Sequence, residues 1–265
     1  EAGGCLSDNV NDVLGLSITN LDLEDLSKML NLEVDLAGKV NGSVGLANPY
    51  EALTLTSNVD ILSFFINQEE VGEIHIDATY NDALAAVGLK GTLAYRGMKT
   101  LDFSGSYLTN VEDENLSLRL DFQNTDISFT NAFMDPDVLD KIEGKLNGFI
   151  NIKGTPDAPR LAGTLSLKDA AADFTLLGCR YTMNGKINVE QDGFLINKLP
   201  IRDADGNVAT IDGTVYHSNF TKFNYNVDVD FEEDYNHSLR DNPGRKIDKF
   251  MLLNTKYKEG DVYYG

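Results

Sequence analysis

Along most of this chain apolar and polar residues alternate one by one, and a period of two leaves little but a β-sheet to build. Phe223-Asn224-Tyr225-Asn226-Val227-Asp228-Val229-Asp230-Phe231 is the cleanest run. Leu116 to Phe122, Ile74 to Tyr80 and Leu101 to Tyr107 follow the same pattern. Each such strand has one apolar and one polar face. Asn81-Asp82, Arg96-Gly97, Asp192-Gly193 and Asp205-Gly206-Asn207 supply turn chemistry between the runs. The expectation is an all-β, antiparallel meander.

The meander is duplicated. Ser17-Ile18-Thr19-Asn20, a helix-like segment and Gly38-Lys39-Val40-Asn41-Gly42 return as Ser128-Phe129-Thr130-Asn131, a helix-like segment and Gly144-Lys145-Leu146-Asn147-Gly148. This predicts two repeat units, residues 1–127 and 128–265, continuous with each other and each opened by a short helix. Asp22 caps the first, over about 22–31, with Leu21 and Leu26 as a hydrophobic staple. Asp135 caps the second, over about 135–141, with Pro136 at its first turn and Met134 and Leu139 as the staple. The longer spacer of the first unit predicts a helix longer by about one turn.

Two short helices cannot shield so many apolar strand faces, so the sheet is expected to fold over and face itself. Gly91, Gly105, Gly148 and Gly213 lie inside strand-like runs, where bulges and bends are expected. Periodicity leaves open whether the two halves touch as a closed sandwich or stand apart as a trough.

A net charge of -20 argues against nucleic acid and against anionic head groups as partners, so lipid contact would be through acyl tails. No apolar run approaches the roughly 18 residues of a membrane span, which predicts a soluble piece. The chain begins at Glu1 without a leader pattern and stops at Tyr263-Tyr264-Gly265 in strand-like sequence, as a fragment of something longer would. Cys5 and Cys179 are expected as small packed hydrophobes, with a disulfide between them as the alternative.

Site chemistry is sparse. Asp203-Ala204-Asp205-Gly206-Asn207 has the alternating carboxylates of a calcium loop but lacks its later ligands, so a hairpin turn is expected. His75, His217 and His237 are scattered, with His75 on a polar face. The sequence holds no nucleophile elbow, phosphate loop or Cys-x-x-Cys, and its carboxylates form no nominated acid–base pair. We expect no catalytic residues, no cofactor, no metal site and no enzymatic activity.

Gly154-Thr155-Pro156-Asp157-Ala158-Pro159-Arg160-Leu161-Ala162-Gly163, after Gly144-Lys145-Leu146-Asn147-Gly148, resembles the TamB family of the translocation and assembly module. The likeness continues through Ile201-Arg202-Asp203, Gly206-Asn207, Gly213-Thr214-Val215-Tyr216-His217 and Phe220 to Phe250-Met251-Leu252-Leu253-Asn254-Thr255 and Tyr263-Tyr264-Gly265. It covers about residue 126 to the end. The resemblance implies a periplasmic segment of a protein anchored in the inner membrane of a diderm bacterium. It further implies an AsmA-like, taco-shaped β-trough with a greasy lining and an outer-membrane barrel of the Omp85 superfamily as partner. The first unit departs from the pattern, with Ala47-Asn48-Pro49-Tyr50 in place of the Pro-rich motif, and a polar loop is expected over about 232–246.

With that trough in view, the alternating residues Leu116, Leu118, Leu120, Phe122, Ile150, Ile152, Leu165, Leu167, Tyr225, Val227, Val229 and Phe231 are expected to line it and to meet phospholipid acyl chains. Two other readings stay open: a scaffold that adds a client's strand to an open sheet edge, and an inert sandwich with a closed core.

Overall fold

The structure is a computed structural model that describes residues 1–5, 12–29, 35–48, 53–134, 136–137, 139–175, 178–204, 206–218 and 222–231. Its strands are β1 (Ala2–Gly4), β2 (Val13–Asp22), β3 (Leu36–Ala47), β4 (Thr54–Ile66), β5 (Glu69–Asn81), β6 (Ala86–Tyr95), β7 (Met98–Leu108) and β8 (Leu116–Asp126). They continue as β9 (Leu139–Gly154), β10 (Pro159–Phe174), β11 (Cys179–Glu190), β12 (Gly193–Arg202), β13 (Val208–Ser218) and β14 (Lys222–Phe231). All belong to one antiparallel sheet whose spatial order is the chain order, and among the described residues β1 and β14 are its ends and do not close it into a barrel. The expected turn at Arg96-Gly97 has both residues at positive φ (51° and 76°), the geometry that matches strand twist. Asn67 and Gln68 make a second such turn, at 45° and 73°, that the composition did not advertise.

The chain packs as two compact units, residues 1–125 with 148–163, and residues 126–147 with 164–265. In the first, α1 (Leu23–Met29) stands where the first helix is expected, and Asp22 Oδ1 accepts from the Glu24 N–H at 3.3 Å. Leu30 and the side chain of Leu26, half of the staple, lie outside the described residues.

The second helix is a correction. Residues 128–133 form a 3₁₀ turn, and Leu139 opens β9 instead of continuing a helix. Asp126 captures this turn early, accepting from the Ser128 N–H at 3.0 Å and its hydroxyl at 2.6 Å. The Asn131 side-chain amide then takes both backbone groups of Ile142, at 2.8 and 3.0 Å, which stitches the turn to β9 and leaves 139–141 to the ladder. The two helical segments therefore differ in type, and residues 30–34, where the expected extra turn of the first helix would fall, lie outside the described residues.

Within strands, bulges recur with one shared device. Asn20, Asp169 and Lys198 sit at φ of 52°, 49° and 46°. Their N–H groups, turned out of the ladder, are accepted by Asn41 Oδ1 at 2.8 Å, Asn184 Oδ1 at 2.7 Å and Asp212 Oδ1 at 2.8 Å. Each acceptor is followed by glycine. At Gly42 a Cβ would stand 2.3 Å from the Asn58 carbonyl oxygen, and at Gly213 2.2 Å from that of Asn226. Glycine here lets a neighbouring strand press close while the bend itself falls on the residue opposite. The bulges also correct the phase of the strands: the register jumps from Ile18 to Leu21, so both stay on one face.

Candidate functional site

In the first unit the register assembles one uninterrupted apolar face across β2 to β8. An outer row runs Leu14, Leu46, Leu55, Tyr80, Val87, Tyr107, Leu116. Next come Leu16, Val44, Ser57, Ala78, Leu89, Gly105, Leu118, then Ile18, Gly42, Val59, Ile76, Gly91, Phe103, Leu120. The other outer row is Leu21, Val40, Ile61, Ile74, Leu93, Leu101, Phe122. Apart from two phenols and one serine hydroxyl, these rows present hydrocarbon.

This face is not roofed by a second layer. Among the described residues of the unit, the buried hydrophobic side chains are Val40, Leu93 and Leu161, while Leu16 is 47% exposed and Leu14, Leu21 and Tyr107 are each 36% exposed. The rest of the rows are half-buried, apart from the buried Gly91. A sheet packed face to face about 10 Å away would have hidden them.

The opposite face is polar and carries several ion pairs. His75 Nδ1 lies 2.7 Å from Asp60 Oδ1 and its Nε2 3.5 Å from Asp77 Oδ2. The hydrogen bond with Asp60 raises the imidazole above its ordinary pKa, partial burial opposing it. Asn58 donates to Asp77 at 2.8 Å and holds that carboxyl below its usual range. Arg119 chelates Asp121 at 2.6 and 2.8 Å, lies over the ring of Phe149, 4.4 Å from its centroid, and reaches Asn151, so Phe149 and Asn151 of β9 share the polar face. A shallow hollow here is lined by Ser43, Thr56, Asn58, Asp77, Thr79 and Lys90, together with Ser57 and Ala78.

The second unit differs. Cys179, Tyr181, Ile201 and Ala209 are buried together, with Phe174, Met183, Ile211 and Val229 packed around them and the Phe174 ring edge-on to Tyr181 at 5.4 Å. Burial, with help from Cys179, pushes the Tyr181 phenol up in pKa. Ala170, Ala171 and Ala172 are all buried, so both faces of β10 are covered there. Ala171 shares its face with an ion network in which Asp173 meets Lys141 at 2.8 Å and Arg180 at 2.6 Å, and Arg180 also reaches Glu143. Those two cations hold Asp173 below the usual carboxylate range.

The expected lining residues divide accordingly. Leu116, Leu118, Leu120 and Phe122 are half-buried members of the first unit's face, and Ile150 and Ile152 are half-buried opposite Phe149 and Asn151. Leu165 is buried, Leu167 and Val227 are half-buried, and Val229 packs on the core. Tyr225 and Phe231 hold register opposite Val215 and Ala209, but their side chains lie outside the described residues. The larger part of the face, from β2 to β7, escaped nomination. Its signal was present in Leu55, Ser57, Val59 and Ile61, and bulges after Ile18 and Ile61 broke the period.

Asp203 is a turn residue as expected. It is buried, and its carboxylate accepts from the Asn207 N–H at 2.8 Å and side-chain amide at 2.9 Å. Among the described residues no cluster of His, Cys, Asp or Glu is arranged to hold a metal, and no helix is long and apolar enough to cross a membrane. Cys179 is packed as expected, whereas Cys5 is exposed beside Asp12, which corrects its reading, and neither forms a disulfide. Residues 232–246 and 250–265, with His237, lie outside the described residues, as does the side chain of His217. No known protein family, curated protein or solved structure matches this chain.

Proposed function

We propose that this chain is a non-enzymatic lipid-conduit segment that shelters acyl chains on an apolar β-face. The observation that carries the reading is the seven-strand hydrocarbon face of the first unit, left half-open where a structural sandwich would have closed it. Moving a methylene out of water gains about 0.8 kcal/mol, so a chain of about 16 carbons gains on the order of 10 kcal/mol. A bilayer offers nearly the same. Exchange between bilayer and face is then close to neutral, which suits passage more than storage. A periplasmic setting, a membrane-anchored parent and an Omp85-type barrel partner rest on the TamB resemblance alone.

The test is transfer of a fluorescent phospholipid between vesicles. Leu118→Asp should slow it severalfold or more, since a carboxylate on the face costs several CH2 equivalents, while Ser117→Asp on the polar face should leave it unchanged. Equal effects would defeat the reading. A strand-adding scaffold is the second reading, favoured by one observation: among the described residues the ten-residue β14 pairs only with β13. It places client crosslinks along β14 instead of on the face.

A further inference from the structure

Asn-Gly is a strong hairpin signal, yet none of the three such pairs in this chain makes a turn. Asn41-Gly42, Asn147-Gly148 and Asn184-Gly185 lie inside β3, β9 and β11. In the first and third pairs both residues have a structural reason. Asn41 and Asn184 accept the turned-out N–H groups of Asn20 and Asp169 at 2.8 and 2.7 Å. Glycine follows because there is no room for a side chain: a Cβ at Gly42 would stand 2.3 Å from the Asn58 carbonyl oxygen, and one at Gly185 2.6 Å from Leu199 Cδ1. The bulge device therefore places in the strands the dipeptide most prone to lose its side-chain amide, since glycine leaves the attacking backbone nitrogen unhindered.

We propose that Asn41 and Asn184 are sites of spontaneous deamidation that the folded ladder holds shut, so that the modification records opening of the sheet. This holds whatever the apolar face binds. In the reaction at the first site the Gly42 nitrogen bonds to Asn41 Cγ, the Cγ–Nδ2 bond breaks, and ammonia leaves carrying the proton of the glycine nitrogen. Water then opens the cyclic imide at one carbonyl or the other, giving aspartate or isoaspartate. The fold opposes the first step. Gly42 is flanked by Ile18 of β2 and Val59 of β4, so its N–H is engaged in the ladder, and the Asn41 amide is held against the neighbouring strand instead of turning to its own backbone. The two products then part. Aspartate is what another bulge already uses: Asp212 accepts from the Lys198 N–H at 2.8 Å although it stands opposite Asp228, as Asn41 stands opposite Asp60. Isoaspartate lengthens the backbone of its strand by an atom and puts the ladder beyond it out of register.

The experiment incubates the whole chain at mildly alkaline pH, folded or in urea, and reads aspartate and isoaspartate at each site by peptide mapping with mass spectrometry. Both asparagines should convert in urea, and at least about tenfold more slowly in the folded chain, where the reaction waits on local opening. Ile201 lies opposite Met183, beside Asn184, so Ile201→Ala should quicken conversion at Asn184 severalfold or more. Asn41→Asp and Asn184→Asp should keep the parent's circular dichroism. Conversion as fast in the folded chain as in urea would overturn the guard, and no conversion in urea would overturn the sites themselves. An unchanged rate at Asn184 in an Ile201→Ala chain that urea titration shows to be destabilised would overturn gating by local opening. Loss of fold in both aspartate variants would overturn the claim that these positions accommodate a carboxylate.

Discussion

The same alternation of residues builds two different objects in this chain. In the second unit the apolar sides of β11, β12 and β13 converge on Cys179, Tyr181, Ile201 and Ala209, each at most 5% exposed. In the first, rows of comparable residues stay half-open, and Leu16 in the middle of a strand remains 47% exposed. What separates them is small residues and what sits beside them. Ala170, Ala171 and Ala172 are all buried on β10, so both of its faces are covered there. In the first unit the small residues Gly42, Ser57, Ala78, Gly91 and Gly105 are scattered through the middle of the face among Val44, Val59, Ile76, Leu89 and Phe103.

The sharpest way to break this contrast is to cut side chains from both places. Ile201→Ala should cost about 3 kcal/mol, in the range for emptying a buried aliphatic site. Ile76→Ala, on the open face, should cost about 1 kcal/mol, because much of its area is wet already. Urea titration of each variant reads the difference, and equal losses would mean the face is covered. A smaller effect is expected where the units are alike. Removing the bulge acceptor by Asn41→Ala or Asn184→Ala leaves one N–H without its partner and should cost about 1 kcal/mol in either unit.

Acid separates the units again. Asp173 is depressed by Lys141 and Arg180, so its contribution is complete above the ordinary aspartate pKa, near 3.9, and is lost as pH falls through the lower folded value. Asp173→Asn should flatten the acid limb of the second unit's stability curve. The least effect belongs to His75, whose raised pKa stabilises the first unit fully below about 6.5 and ceases to do so as pH rises through its folded value. His75→Gln should remove that slope between mildly acidic and alkaline pH, as followed by thermal melts.

Much of the fold was legible because its code is local. Period two in Leu116 to Phe122 and Phe223 to Phe231 placed β8 and β14, and the Arg96-Gly97 pair placed a hairpin. The helix at 135–141 misled because Asp135-Pro136 has the chemistry of a helix start, while Asn131 and the ladder of β9 decide the outcome from outside that window. The site was legible in residue type and not in extent. Leu118 could be named from its own strand, but its row through Gly105, Leu89 and Ala78 exists only in the register, which passes through bulges at Asn20 and Ser63 that a fixed period cannot follow. The Asn-Gly and Asp-Gly pairs at 41, 184 and 212 were visible throughout. Their meaning, a side chain reaching the adjacent strand's bulge, needed the partner strand.

The most direct test of the central claim is photo-crosslinking from single positions in the presence of phosphatidylethanolamine vesicles, with a benzophenone amino acid at Val59 or Leu118 and, as the opposite face, at Asn58 or Ser117. The account predicts lipid adducts by mass spectrometry at Val59 and Leu118 and none at Asn58 or Ser117. Adducts distributed equally between the two faces, or only protein-to-protein adducts at Val59 and Leu118, would contradict it.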